Sequence, residues 1–82
     1  MDERKMLIKI MNSYNNVKFD DLIRVINKYG FVWQRTKGSH NIYVNSNIKE
    51  IINIQNVNGK AKPYQIKQVL KLIEKYNLEM ED

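Results

Sequence analysis

The only histidine of the chain, His40, follows a short glycine turn in the stretch "TKGSHNIYV". Histidine changes charge near neutral pH, and a positioned imidazole that moves a proton speeds a reaction by about 10² to 10⁴. Gly38 has no side chain, so the backbone amides of this turn can approach a phosphate closely, and Ser39 adds a hydroxyl beside them. The alternative is an exposed histidine without a chemical role. The pattern makes His40 a candidate catalytic residue and leaves that alternative open.

Basic side chains stand at two places that a phosphate could reach. Arg35 and Lys37 flank the glycine turn, while Lys60 and Lys62 precede Pro63, where a helix is expected to begin. Free amides and the positive end of the dipole at a helix start attract anions. Each of these cations taken singly is more often a solvated charge. The residues predicted to contact nucleic-acid phosphates are Arg35, Lys37, Gly38, Ser39, Lys60 and Lys62.

The net charge of +5 is unevenly distributed along the chain. Residues 18–78 contain eleven Lys or Arg and four Asp or Glu, whereas the last four residues contain three acids. A basic surface favours polyanions because binding releases condensed counterions, so nucleic acid is the leading class of partner. Ordinary solubility charge is the alternative.

Several classes of protein are disfavoured by the composition. The chain has no cysteine, so it can form neither a disulfide nor a thiolate metal site, and we predict no metal and no cofactor. The apolar run from Met6 to Ile8 ends at Lys9 and is too short for a signal peptide or a membrane span. With 82 residues, the chain is expected to form one domain, 1–82, in the cytoplasm and without a membrane partner.

Three helices are predicted from apolar residues at helical spacing. The first covers residues 3–14. The second follows Lys18, with Asp20 and Asp21 at its positive start and Gly30 as its C-terminal cap. The third begins at or near Pro63. Their apolar stripes are Met6, Leu7, Ile10, Met11 and Tyr14, then Leu22, Val25, Ile26 and Tyr29, then Ile66, Val69, Leu70 and Ile73.

Between the second and third helices the period of apolar residues changes from 3.6 to 2, which indicates strands. They are "FVWQRT" (31–36), "HNIYVN" (40–45) and "EIINIQ" (50–55), joined by the short turns "KGS" and "NSNIK". Short turns favour an antiparallel meander. The predicted fold is α+β, with a three-stranded antiparallel sheet, helices on one face and the order α-α-β-β-β-α, so the other face of the sheet stays open.

The alternation in the second strand raises a question about the site. It places His40 on the same face as Ile42 and Val44, which we predict to be the core face, so His40 must lie at the rim or be turned outward by a bulge. The same alternation sends Tyr43 to the open face, where it could stack on a base or assist proton transfer.

Other large residues of the strands are assigned to the core. Phe31 and one face of Trp33 are expected to be buried, although both could instead stack on bases. The isoleucines of the third strand are expected to be buried as well: Ile51, Ile52 and Ile54.

Four stretches occur in the order "FDDLIRVINKYGF", "RTKGSH", "IINIQ" and "NGKAKPYQIKQVLKLIEKYNL". Together they resemble the HicA toxins, small bacterial endoribonucleases of toxin–antitoxin systems. The resemblance spans Phe19 to Leu78, about 60 residues. It divides the chain into an additional N-terminal helix in 1–17, a HicA-like core in 18–78 and an acidic tail in 79–82.

The resemblance implies a fold like that of double-stranded-RNA-binding domains, a single catalytic histidine at His40, cleavage of mRNA and inhibition by a HicB antitoxin.

RNA carries its own nucleophile, the 2′-hydroxyl, so no metal is needed if a base removes the proton of that hydroxyl. One imidazole cannot also protonate the leaving oxygen at the same time, and Lys37, Tyr43 or solvent could do so. The alternatives are a non-catalytic RNA-binding module and a relative whose surface serves protein contacts only.

Overall fold

The computed structural model describes residues 2–81, which form three helices and a three-stranded antiparallel sheet with helices on one of its faces. Met1 and Asp82, the outer ends of the predicted N-terminal segment and acidic tail, lie outside the described residues. The predicted fold class and element order are confirmed. The elements are α1 (Glu3–Asn12), α2 (Phe19–Lys28), β1 (Val32–Lys37), β2 (His40–Asn45), β3 (Glu50–Gln55) and α3 (Pro63–Lys75).

Each strand pairs with the strand that follows it in the chain, in the order β1-β2-β3. The bounds of β2 and β3 agree with the prediction, and β1 begins and ends one residue later than predicted. Gly38 and Ser39 are the two central residues of the β1–β2 turn, and Gly38 has a φ of 61°. A positive φ at the first central residue is the requirement of the type II′ hairpin turn, which glycine meets without strain.

The chain leaves α2 through Gly30, which adopts a φ of 92°. The Phe31 N–H donates to the Ile26 carbonyl at 3.0 Å, and the Gly30 N–H donates to the Asn27 carbonyl at 3.1 Å. This pair of bonds satisfies carbonyls at the end of the helix and turns the chain towards β1. Asn45 at the end of β2 is buried beside this turn and donates to the Tyr29 carbonyl at 3.0 Å.

Gly30→Ala is expected to lower the free energy of unfolding by about 1–3 kcal/mol, because alanine is strained at a positive φ. A Cβ at this position would also lie 3.2 Å from Asn45 Nδ2. Gly59→Ala is the matched control, since Gly59 has a φ of 83° and no atom within 4 Å of an added Cβ. Urea unfolding of both variants measures the difference, and equal losses would show that the Asn45 contact has no cost.

The core lies between the sheet and the helices. Phe31 is completely buried where the chain enters β1, as predicted. The prediction for Ile51 is wrong: its side chain is 60% exposed, because it points to the helix-free face while Ile52 and Ile54 point to the helices. The other fully buried apolar side chains belong to α2, β3 and α3: Leu22, Val25, Ile26, Ile52, Ile54, Ile66 and Val69.

Polar contacts connect α3 to the sheet and to the start of α2. The buried Gln65 side chain accepts a hydrogen bond from the Gln55 backbone N–H at 2.8 Å, which fixes the end of β3 on the first turn of α3. The Ala61 N–H donates to the Val17 carbonyl at 2.9 Å, and the Phe19 N–H donates to the Gly59 carbonyl at the same distance. The N-terminal ends of α2 and α3 are therefore held side by side.

The additional helix α1 packs against α2. Met6 and Ile10 of α1 are buried in the common core, whereas Met11 of the predicted stripe is exposed. Glu3 forms ion pairs with Arg24 at 3.1 Å and with Lys28 at 3.8 Å. The helix ends at Asn12, two residues before the predicted end. These contacts make α1 part of the folded unit.

Candidate active site on the open face of the sheet

His40 lies on the open face of the sheet, which is the correction that matters most for function. The alternation correctly groups His40 with Ile42 and Val44, but this group faces away from the helices, so neither of the two expected explanations, a position at the rim or a bulge, is needed for His40 to reach solvent. Register explains the result: Tyr43 pairs with Ile52, whose side chain is buried under the helices, so Tyr43 and not His40 points to the core.

The imidazole of His40 is exposed and contacts two amide side chains of β3. Its Nδ1 lies 3.1 Å from Asn53 Oδ1, and its Nε2 lies 3.3 Å from Gln55 Nε2. Gln55 is the direct cross-strand partner of His40, and Asn53 pairs with Ile42 on the same face. Neither amide carries a charge. The arrangement leaves a solvent-accessible imidazole that can exchange a proton with a bound molecule.

The turn beside His40 is open on its outer side. A Cβ added to Gly38 would find no atom within 4 Å, so nothing blocks the approach of a ligand to this backbone. The Ser39 carbonyl accepts a hydrogen bond from the Asn56 N–H at 3.2 Å, and the Ser39 Oγ lies 3.5 Å from Gln55 Nε2. The structure therefore brings Gly38, Ser39 and His40 together at one end of the sheet.

The hairpin places two predicted cations on the same face as the imidazole. Lys37 is directly opposite His40, and Arg35 is opposite Ile42. Residues directly opposite in an antiparallel pair have Cβ atoms about 4.5–5.5 Å apart on one face. Both side chains are exposed. Arg35 also lies beside an irregularity in the ladder, where Gln34 is an extra residue between Trp33 and Arg35.

Lys60 and Lys62 lie in the segment between β3 and α3. Lys60 forms backbone bonds with Val57 at 2.9 and 3.0 Å. Lys62 is the N-cap residue of α3 but supplies no side-chain cap, and its Nζ lies 6.0 Å from the centre of the Tyr64 ring. Within residues 2–81 neither lysine forms a hydrogen bond or ion pair with His40. Both lysines lie near the end of β3 at which Gln55 is bonded to the first turn of α3. They do not contact the imidazole.

Tyr43 is buried with 6% of its surface exposed, so the prediction that it faces the open side is wrong. Burial raises the pKa of its phenol above the ordinary value of 10, and the Asp20 carboxylate adds to the rise. The phenol therefore stays protonated at neutral pH. A residue in this position can neither stack on a base over the open face nor reach the imidazole on the opposite side of the sheet.

Tyr43→Phe is accordingly expected to leave any His40-dependent reaction within about twofold of the wild-type rate, because the ring and its packing are kept. An initial-rate comparison at equal protein concentration measures the effect. A rate at least tenfold below that of the wild type, at unchanged thermal stability, would show that the Tyr43 hydroxyl takes part in the reaction.

Trp33 is 55% exposed, which is compatible with the prediction that one of its faces is covered, but the residue does not belong to the buried core. Its Nε1–H donates to Thr36 Oγ1 at 2.9 Å, and Thr36 donates to Asn41 Oδ1 at 2.9 Å. Trp33 pairs with Tyr43, so it lies on the helix side of β1. It is therefore on the opposite face from His40.

The two amides that contact His40 were not predicted. The sequence does carry a signal for them: Asn53 and Gln55 alternate with Ile52 and Ile54, so β3 has one polar and one apolar face. Two facts were needed to connect that polar face to His40, namely the register between β2 and β3 and the face on which His40 lies. Both depend on pairing between residues 13 to 15 positions apart.

A family model described as the HicA toxin of bacterial toxin–antitoxin systems matches residues 19–74, more than half of the chain. The chain belongs to this family. The match contains the glycine turn, His40 and both amides, and it excludes α1. Membership in the HicA family makes the protein the toxin of a toxin–antitoxin system and implies an antitoxin partner.

No curated protein and no solved structure matched the chain. The architecture is consistent with a fold like that of double-stranded-RNA-binding domains. In residues 2–81 no helix is long and apolar enough to cross a membrane. The same residues contain no group of three or more His, Cys, Asp or Glu side chains that could hold a metal ion.

Proposed function

We propose that this HicA family member is an endoribonuclease that cleaves cytoplasmic mRNA without a metal ion, with His40 as the acid–base residue. The observation that carries the proposal is the position of His40: an accessible imidazole on the open face of the sheet, beside Lys37 and an unobstructed glycine turn. The family assignment supports a toxic activity, and the chemistry of the site supports RNA as the target.

The charges around His40 suit an RNA backbone. Arg35 and Lys37 lie on the open face, and the Gly38–Ser39 turn allows close approach of a phosphate. The N-terminus of α3 adds a second anion-binding feature, because its first turn contains no acidic residue and follows Lys60 and Lys62. By contrast, α2 has Asp20 and Asp21 in its first turn, which offset the dipole there.

In the proposed reaction His40 Nε2 removes the proton from a ribose 2′-hydroxyl. The 2′-oxygen then attacks the adjacent phosphorus, and the bond from phosphorus to the 5′-oxygen breaks. The leaving oxygen takes a proton from a second donor. Lys37, directly opposite His40, or a water molecule can supply it, whereas the buried Tyr43 cannot.

Cleavage of a synthetic RNA is expected to give a 2′,3′-cyclic phosphate on one product and a 5′-hydroxyl on the other, at an unchanged rate in EDTA. Mass spectrometry of the products identifies both ends. Products with 3′-hydroxyl ends that appear only with Mg²⁺ would contradict the mechanism. Salt-sensitive binding without any cleavage would instead support a non-catalytic RNA-binding module.

We further propose that a HicB-type antitoxin inhibits the toxin by covering His40. A partner with an acidic surface complements Arg35 and Lys37, and covering the open face excludes RNA from the imidazole. Addition of a HicB-type antitoxin, which we expect to be encoded beside this gene, should abolish cleavage. Full cleavage within a stable complex would show that the antitoxin binds elsewhere.

A further inference from the structure

The two amides of β3 contact both ring nitrogens of His40 and together favour one of its two neutral tautomers. A neutral imidazole has one N–H donor and one lone-pair acceptor. Asn53 presents an oxygen, which only accepts, to Nδ1 at 3.1 Å. Gln55 presents an amide nitrogen, which only donates, to Nε2 at 3.3 Å. One tautomer satisfies both contacts, with the proton on Nδ1 and the lone pair on Nε2.

We propose that Asn53 is a positioning residue for the ribonuclease reaction: it accepts the Nδ1 proton of His40 and keeps the lone pair on Nε2, which receives the proton of the 2′-hydroxyl. The inference rests on the proposed function. As Nε2 takes that proton, the imidazole becomes a cation, and the Asn53 oxygen remains bonded to its Nδ1–H. Asn53 thus holds the ring in one orientation before and after proton transfer.

The backbone around Asn53 suits this role because it belongs to a paired strand. Asn53 is held by the ladder between β2 and β3, and the next open-face residue, Gln55, is bound through its backbone to the buried Gln65. Groups on strands are held more precisely than groups on loops. The sheet thus sets the separation of the Asn53 and His40 backbones, from which the two side chains meet at 3.1 Å.

Gln55 has a different role in the same arrangement. Its amide occupies the Nε2 lone pair in the free protein, so the 2′-hydroxyl must replace it there. Ser39 Oγ lies 3.5 Å from the same Gln55 nitrogen and offers it an alternative acceptor. When the 2′-hydroxyl of RNA displaces the Gln55 amide from Nε2, the Gln55 amide can therefore still donate to Ser39 Oγ.

Nitrogen-15 NMR tests the inference directly, because the chain contains one histidine and its ring signals need no assignment. At a pH where the ring is neutral, the wild type is expected to show the Nδ1–H tautomer. Asn53→Leu removes the acceptor at similar size, so the spectrum should shift towards the Nε2–H form. Its cleavage rate should fall about tenfold, which corresponds to about 1.4 kcal/mol.

Asn53→Asp is the conservative variant, because it keeps an acceptor oxygen beside Nδ1. It should retain the Nδ1–H tautomer and move the acidic limb of the cleavage pH profile to higher pH, since a carboxylate favours the protonated ring. A carboxylate at this distance would move that limb whatever the wild-type amide does, so the discriminating result is the retained Nδ1–H tautomer together with a cleavage rate, at the optimal pH, above that of Asn53→Leu. Ile51→Ala, on the same face of β3 and away from the imidazole, should change neither the spectrum nor the rate.

The NMR and the cleavage measurements separate two kinds of failure. A wild-type ring in the Nε2–H form, or Asn53→Leu with the wild-type cleavage rate, would overturn the role of Asn53. A wild type that shows the Nδ1–H tautomer but cleaves no RNA under any condition would contradict the proposed ribonuclease and leave the Asn53 contact standing.

Discussion

Replacement of His40 by alanine is expected to lower the rate of RNA cleavage by about 10² to 10⁴, the contribution of a positioned general acid or base. The same change should abolish growth arrest when the toxin is expressed without its antitoxin. His40→Gln should be as inactive as His40→Ala, because an amide can form hydrogen bonds but cannot exchange a proton near neutral pH. Initial rates on a synthetic RNA measure both effects.

Three controls make the His40 result specific to catalysis. The side chain is exposed, so the free energy of unfolding should change by about 0.5 kcal/mol or less. RNA affinity, measured at fixed salt, should stay near the wild-type value because the cations Arg35 and Lys37 remain. Ile51→Ala, on the same open face, should cleave normally. A folded His40→Ala protein that still cleaves RNA would refute the assignment of the catalytic residue.

Phe31→Ala is expected to have the largest effect on stability, a loss of about 3–5 kcal/mol, because it leaves a cavity where the chain enters the sheet. Phe31 is completely buried. A chain of this length has a total stability of about 4–12 kcal/mol, so the variant will be partly unfolded if the wild type lies at the lower end. Urea unfolding at 25 °C measures the loss.

Phe31→Leu keeps part of the packing and is expected to lose less than Phe31→Ala, which makes the prediction testable even if the alanine variant does not fold. Val32→Ala is the neighbouring control, since Val32 is exposed on the open face, and it should change stability by about 0.5 kcal/mol or less. Equal losses for Phe31→Ala and Val32→Ala would mean that Phe31 is not part of the core in solution.

The helices and the element order could be predicted from the sequence because their signals are local. In α2 the stripe of Leu22, Val25 and Ile26 follows the helical period, and all three are buried. Gly30 ends a helix and Pro63 begins one through effects on the adjacent turn of the chain, and in the structure Gly30 follows the end of α2 and Pro63 starts α3. Such features depend on neighbours within about four residues and do not require the tertiary fold.

The faces of the sheet could not be predicted in the same way. In β2 apolar residues stand on both faces, with Ile42 and Val44 on one and Tyr43 on the other, so hydropathy alone does not identify the core face. The pairing of Tyr43 with Ile52 decides it. Ile51 was misassigned for a related reason: a run of two isoleucines cannot have both side chains on one face of a strand.

The candidate site was predictable only in part for the same physical reason. The turn supplied His40, Lys37 and Gly38 as sequence neighbours, so their proximity needed no knowledge of the sheet. Asn53 and Gln55 reach the imidazole through cross-strand pairing, and their contacts appear only when the register is known.

The pairing of each strand with its successor also has a consequence for how the toxin forms. Pairing between strands adjacent in the chain keeps the contact order moderate, and small mixed α/β domains fold on a timescale of about a second or less. Synthesis at about 5–20 residues per second takes longer than that. We therefore expect the toxin to become active almost as soon as it leaves the ribosome, so antitoxin must already be present when translation of the toxin ends.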